Sequence, residues 1–263
     1  MLKIYLPVCI ASVILLFPSF RCTVAKGSKD EKDFVAIFDG KTLNQWDGDK
    51  TYWRVENGSL VGEVTPATIL NRNSFIIWRG GVTKDFELKT EYRVSPGGNS
   101  GINYRSEEVE GVPYALKGYQ ADLDGALLYT GSNYEERGRT TLAARGSKVT
   151  LPPYTDERAN DKGNRLQPYI NNNVWTKANI IGSLGPPDSL KSSIRINEWN
   201  EYHLIVQGNH LRHYVNGVLM SEVVDNDTLN RKYDGLLGVQ VHVGPPMKIE
   251  FRNMRLKNLT KDQ

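Results

Sequence analysis

The chain is expected to fold as an all-β sandwich of two antiparallel sheets. Short segments of alternating polarity recur along it, turn residues separate them, and no long stretch has helical period. The 263 residues suit one large domain, and 39% of them are hydrophobic. Mean hydropathy is −0.46, and no internal apolar run is long enough to span a bilayer. Lys plus Arg is 33 against 30 for Asp plus Glu. That balance is too even and too scattered to argue for nucleic acid.

The first segment, Met1–Ala25, reads as a signal peptide. Lys3 supplies its positive start, Val8–Phe17 its short apolar stretch, and Thr23, Val24 and Ala25 its small residues. An exported protein, periplasmic or extracellular, is therefore expected, with no membrane span in the mature chain. Lipidation at Cys22 is less favoured, because Arg21 stands where a small residue is expected. Both cysteines, Cys9 and Cys22, lie in this segment. The remainder has no thiol for a disulfide, a metal site or a nucleophile. A disulfide-free exported chain suits a bacterial envelope. Residues 26–32 read as a polar linker and 33–260 as one domain.

Strands follow in order. Asp85–Val94 alternates, with Phe86, Leu88, Thr90, Tyr92 and Val94 on one face and charged residues on the other. Ser100–Arg105 follows a Pro-Gly-Gly turn. Glu201–Val206 and Leu211–Val215 flank a Gly-Asn turn, and Asn216-Gly217 supplies the next hairpin. Gly238–Val243 alternates again. Lys248–Leu256 closes the series, with a bulge expected at Arg252-Asn253. Residues 140–197 break the pattern. They are rich in Gly, Pro and Asn, show few strands, and could form a lid carrying Tyr154, Tyr169 and Trp175.

Candidate chemistry clusters in four places. In Gly118–Gly125, Gln120, Asp122 and Asp124 fall on one strand face, with Tyr119, Ala121 and Leu123 on the core face. Such a polar row lines either a groove or a solvated surface. Gln120 at its head can neither attack nor protonate, so a conventional paired-carboxylate glycosidase is not supported there. In Asn99–Arg105, Asn99 and Arg105 can grip oxygens and Tyr104 can stack on a sugar ring. In Tyr134–Arg139, Glu135 is a candidate base beside Arg137 and Arg139, which could stabilise an enolate; a solvated charge run is the plainer reading. His242, in phase with Gln240, sits at a strand exit, whereas His203 and His213 read as sheet body and His210 as a turn residue. No zinc or EF-hand spacing occurs, and a divalent cation such as calcium is left open.

These motifs resemble a known family. Phe38–Trp46 (FDGKTLNQW), Trp53–Leu60 (WRVENGSL), Asp85–Leu88, Asn99–Ile102, Gly118–Gln120, Glu198–Tyr202, Asn216-Gly217 and Phe251–Leu256 follow its order. The chain is similar to the DUF1080, or 3-keto-disaccharide hydrolase, domain of the concanavalin A-like lectin/glucanase group. The resemblance implies a jelly-roll sandwich, a carbohydrate partner and action on glycosides oxidised at carbon 3. For that chemistry we expect Asp122 as base or metal ligand and His242 as acid, base or ligand. Glu135 is the alternative base. Arg105, Arg137 and Arg139 would polarise the ketone. Asn99, Gln120 and Gln240 would hold hydroxyls, with Tyr104, Asp124, Tyr134 and Trp175 as further substrate contacts. Asp122, Arg105 and His242 are then expected to converge in one trough. One departure stands out: many members have Gly-Tyr-Glu-x-Gln where this chain has Gly118-Tyr119-Gln120-Ala121-Asp122. A binding-only carbohydrate module and an ordinary glycoside hydrolase using Asp122 and Glu135 remain alternatives.

Overall fold

Alternation sets the architecture. The strand Phe86–Val94 buries every second side chain, the five expected ones, and Asn200–Gln207 and His210–Val215 do the same. A strand with one apolar face must bury that face against another layer. In the computed structural model, which describes residues 32–153 and 165–259, two sheets satisfy the requirement. The expected signal peptide, linker and Tyr154 lie outside the described residues, apart from Lys32 at the linker's end. Residues Asp33–Gln263 form one compact unit.

The strands in chain order are β1 Val35–Ala36, β2 Trp46–Asp47, β3 Trp53–Glu56, β4 Ser59–Val64, β5 Ser74–Thr83, β6 Phe86–Val94, β7 Asn99–Glu108, β8 Leu116–Asp124, β9 Asn133–Glu136, β10 Thr140–Ala143, β11 Ser147–Leu151, β12 Ile170–Asn171, β13 Val174–Trp175, β14 Asn179–Ser183, β15 Asn200–Gln207, β16 His210–Val215, β17 Val218–Asp225, β18 Gly235–Val241 and β19 Met247–Asn258. One sheet, here sheet A, runs β14-β11-β17-β16-β15-β6-β19-β4-β3, with β1 also on β19. The other, sheet B, runs β12-β13-β10-β9-β8-β7-β18-β5-β2. Asn216 and Gly217 turn the β16–β17 hairpin with φ of 49° and 78°, as a tight primed turn requires. The bulge in β19 falls between Arg252 and Arg255, with Asn253 at φ 51°.

Residues 140–197 differ from the expectation of a strand-poor lid. They supply β10 to β14 and a helical turn, Pro187–Lys191. Two of their pairings are parallel, β10 with β13 and β11 with β17, so both sheets are mixed at this edge. Trp175 is fully buried and packs edge-on against Tyr169. It belongs to the core, not to a substrate contact. The strands are too short to alternate, and their partners lie far away in sequence, so local pattern does not reveal them.

The core between the sheets is apolar but carries two polar bridges. In one, the Tyr104 hydroxyl meets His213 Nε2 at 2.9 Å, and Asn133 donates to the Tyr104 oxygen at 3.1 Å. Tyr104, expected to stack on sugar, is thus a core residue. In the other, Arg139 is wholly buried. It donates to Glu135 at 2.8 Å, Asp225 at 2.7 Å and Asp227 at 3.2 Å. Tyr119 of sheet B donates to the same Asp225 of sheet A at 2.5 Å.

Arg139→Met leaves three buried carboxylates facing one another. The expected loss of stability is about 3–5 kcal/mol, read by denaturant unfolding. Burial holds the His213 imidazole down, to about 3, whereas in the unfolded chain it protonates near about 6.5. Stability should therefore fall as pH drops from about 6.5 towards 3. His213→Gln should flatten that part of the melting-temperature profile; an unchanged slope would assign the acid sensitivity to other groups.

Candidate active site

Register on sheet B builds a cleft on the face turned away from the core. Tyr119, Ala121 and Leu123 of β8 are fully buried in the core, so Gln120 and Asp122 point to the opposite face. Gln120 pairs with Tyr134 of β9 and Gly118 with Glu136, which places Tyr134 and Glu136 on that same face. From β7, Gly101 stands opposite Asp122. A Cβ on Gly101 would lie 2.4 Å from the Gln120 carboxamide carbon, so only glycine lets that amide lie flat there. The cleft has a volume of about 260 Å³. Its lining includes Asn99, Gln120, Asp122, Tyr134 and His242, together with Asn73, Tyr129, Glu136, Thr141 and Asn173.

Its hydrogen bonds orient two carboxyls. Gln120 Nε2 donates to Asp122 Oδ1 at 2.9 Å. Asn73 Nδ2 donates to Glu136 Oε1 at 3.3 Å, while Asn73 Oδ1 accepts the Val243 amide at 2.9 Å. Gln240 is fully buried beneath and donates to Gln120 and Glu136 at 3.2 and 3.4 Å. It supports the wall, and its Oε1 accepts no hydrogen bond among the described residues. His242 Nδ1 lies 2.5 Å from the Val243 carbonyl. A carbonyl can only accept, so Nδ1 donates; in the neutral imidazole Nε2 is then the nitrogen with the lone pair.

The electrostatics are those of acids short of cations. No Lys or Arg lines the cleft among the described residues. Burial, with Asp124 and Glu136 nearby, pushes the Asp122 carboxyl up to about 8 against the Gln120 hydrogen bond. Burial likewise raises Glu136, opposed by the Asn73 hydrogen bond and by the charge of Arg137. Tyr134 is pushed up to about 12 by burial and by Glu136 and Asp122. A carboxyl kept neutral near pH 7 can donate a proton, and its conjugate base is strong for its class. Among the described residues, no three acid or imidazole groups are placed to hold a metal ion.

Several expected members lie elsewhere. Arg105 is buried and donates to the carbonyls of Lys84, Gly208 and Lys232 and to Asp85; it ties loops together at a bulge. Glu135 and Arg139 belong to the buried bridge on the core side of β9, so the expected Asp122–Glu135 pair does not share a site. Arg137 is exposed at the β9–β10 turn with φ 56° and does not line this cleft. Asp124 accepts the amides of Leu128, Tyr129 and Thr130 at 2.8, 2.9 and 2.8 Å. It folds the loop that presents Tyr129 rather than meeting substrate. Glu136 was findable: with Tyr134 facing out, strand parity selects it over Glu135. Asn73 and Asn173 carry no local signal, since each reaches the cleft from a separate segment.

A 3-keto-disaccharide hydrolase from Bacteroides thetaiotaomicron is 37% identical over 94 residues, covering 30% of this chain and 30% of that protein. The alignment thus spans less than a third of the relative. Two solved structures of candidate glycosyl hydrolases from Parabacteroides distasonis superpose with TM-scores of 0.53 and 0.52, at 18% and 14% identity. They cover 90% and 86% of this chain and 99% of each of those chains, and at such identities they speak for the sandwich fold alone. The model of the 3-keto-alpha-glucoside-1,2-lyase-like domain matches residues 33–257. The chain belongs to that family of carbohydrate-active domains.

Proposed function

We propose that the chain cleaves 3-keto-glycosides by eliminating the C1 oxygen and then hydrating the product. The observation that carries this reading is the pair of raised carboxyls, Asp122 and Glu136, in one cleft with amides and no cation. The relative's name and the family description both concern 3-keto sugars, and the chemistry suits such a cleft. A C3 ketone acidifies the C2 proton. The Asp122 carboxylate takes that proton, and the C2–H electrons flow towards the ketone oxygen as an enolate. The enolate re-forms the ketone as a C1=C2 double bond forms and the C1–O bond breaks. The departing oxygen takes a proton from Glu136. Water then adds its hydroxyl to C1 and a proton to C2, and the free 3-keto sugar results.

The roles follow from position. A general base works best when its acidity constant lies near the working pH, and Asp122 at about 8 meets that condition. Asn99 and Asn173 are available to donate to the enolate oxygen, in a site where preorganised donors act most strongly. Tyr129, half exposed above the cleft, offers a ring to a sugar face. His242 Nε2 is available to position or activate the water. We also assign the protein to the periplasm or the exterior on the strength of the leader-like Met1–Ala25; cell fractionation with a C-terminal tag checks this.

Asp122→Asn should lower kcat on a 3-keto-disaccharide by about 10²–10⁴-fold. Its melting temperature should exceed that of wild type increasingly as pH rises from about 4 to about 8, the window in which the unfolded chain's Asp122 is ionised while the folded one is held neutral. The assay scores free 3-keto sugar from oxidised and unoxidised disaccharides side by side. Binding without product would favour a binding module, and release of sugar from the unoxidised substrate would favour an ordinary hydrolase. The pH dependence has a defined sign. The base must be ionised and the acid protonated, so kcat/KM for wild type should climb with pH as Asp122 ionises, towards about 8, and fall where Glu136 loses its proton, a bell rather than a plateau. A profile already flat from pH 5 to 7 would remove Asp122 as the base.

A further inference from the structure

We propose that a second cavity beside the cleft receives a negatively charged sugar as the leaving group, so that acidic 3-keto-glycosides are the preferred substrates. The inference rests on the functional reading above. Tyr134 lines both cavities. The second has a volume of about 460 Å³, within the range of small-ligand sites and large enough for one monosaccharide. Its wall carries Lys117, Arg137, Arg165 and Lys232. Charge therefore reverses across one tyrosine, from two carboxyls without a lining cation to four cations.

Internal pairing does not use these cations up. Lys117 and Lys232 share a single partner, Glu107, at 3.6 and 3.1 Å. Arg165 donates to the Asn230 side-chain oxygen at 3.1 Å. Arg137 makes no ion pair among the described residues. The acid at the cavity floor, Glu135, is already held by buried Arg139, with Asp225 and Asp227 behind it in the same network. Gln167 and Asn230 add amide groups suited to hydroxyls. A carboxylate or sulfate on the departing sugar matches this wall through charge-assisted hydrogen bonds. The same group would be repelled from the neighbouring carboxyls. Field and shape together orient the substrate, with the keto sugar at Asp122 and the anionic sugar beyond Tyr134.

The test compares glucosyl-glucuronate, a glucosyl-glucose 6-sulfate and the neutral glucosyl-glucose, each with and without oxidation at C3 of the glucosyl unit. Wild type should turn over the oxidised acidic substrates with a kcat/KM about five- to tenfold above the neutral one, an effect of the size two exposed ion pairs supply. The preference should shrink in high salt. In Lys117→Gln/Arg165→Gln the ratio of acidic to neutral kcat/KM should fall to within about twofold. The order of glucuronate and sulfate tells which anion the cavity prefers. Equal rates on acidic and neutral substrates, or a preference that the double variant keeps, would overturn the proposal. Calorimetric titration of the unoxidised disaccharides judges the cavity even where no oxidised substrate turns over. Charge-selective binding lost in the double variant supports the subsite independently of the catalytic reading, and binding indifferent to charge removes it.

Discussion

The buried guanidinium of Arg139 is the contact on which the rest is arranged. It draws Glu135 from sheet B and Asp225 from sheet A into one cluster, with Tyr119 bonded to the same Asp225. Such a cluster tolerates no register slip, because a shift of one residue in β8 or β9 would swing its members out of the core and leave charges unpaired. Fixing Glu135 and Tyr119 inward fixes Gln120, Asp122, Tyr134 and Glu136 outward. The chemistry of the cleft is thus the reverse side of an ion-pair cluster buried between the sheets.

The outward face differs in kind from the inward one. Inside, each carboxylate is met by a cation or by a hydroxyl or amide donor. Outside, Asp122 and Glu136 are partly withdrawn from water with amides for company. Burial raises both carboxyls, and the amides that orient them offset it less than an arginine would, which leaves both groups poised to exchange protons. The second cavity supplies the opposite sign a short way off, so a substrate would meet proton chemistry at one end and anion recognition at the other.

Much of the fold was legible along the chain. β6, β15 and β16 alternate cleanly, Asn216-Gly217 marks its hairpin, and the kink near Asn253 shows as a break in period. The facing of β8 was legible too, which is why Asp122 and Gln120 could be singled out. The cationic part of the expected site was not. Arg105 and Arg139 look like binding residues because long charged side chains are usually outside, yet both are enclosed by carbonyls and carboxylates brought from distant strands. Trp175 and Tyr104 look like sugar platforms for the same reason that they make good core. Local pattern records which face a side chain takes, but not what another strand will place against it. The edge strands of 140–197 were hidden likewise, since parallel pairing joins segments with no turn between them.

Asn73 holds the Val243 amide with its oxygen and Glu136 with its nitrogen. The turn bearing His242 and the acid of β9 are therefore yoked through one side chain in a third segment. Whatever presses on that turn, whether an arriving sugar or a shift of the Gly244-Pro245-Pro246 corner, is felt at Glu136 as a change in its donor. Acid strength and the seat of the imidazole are consequently not independent settings of this protein: tuning one by altering the corner retunes the other.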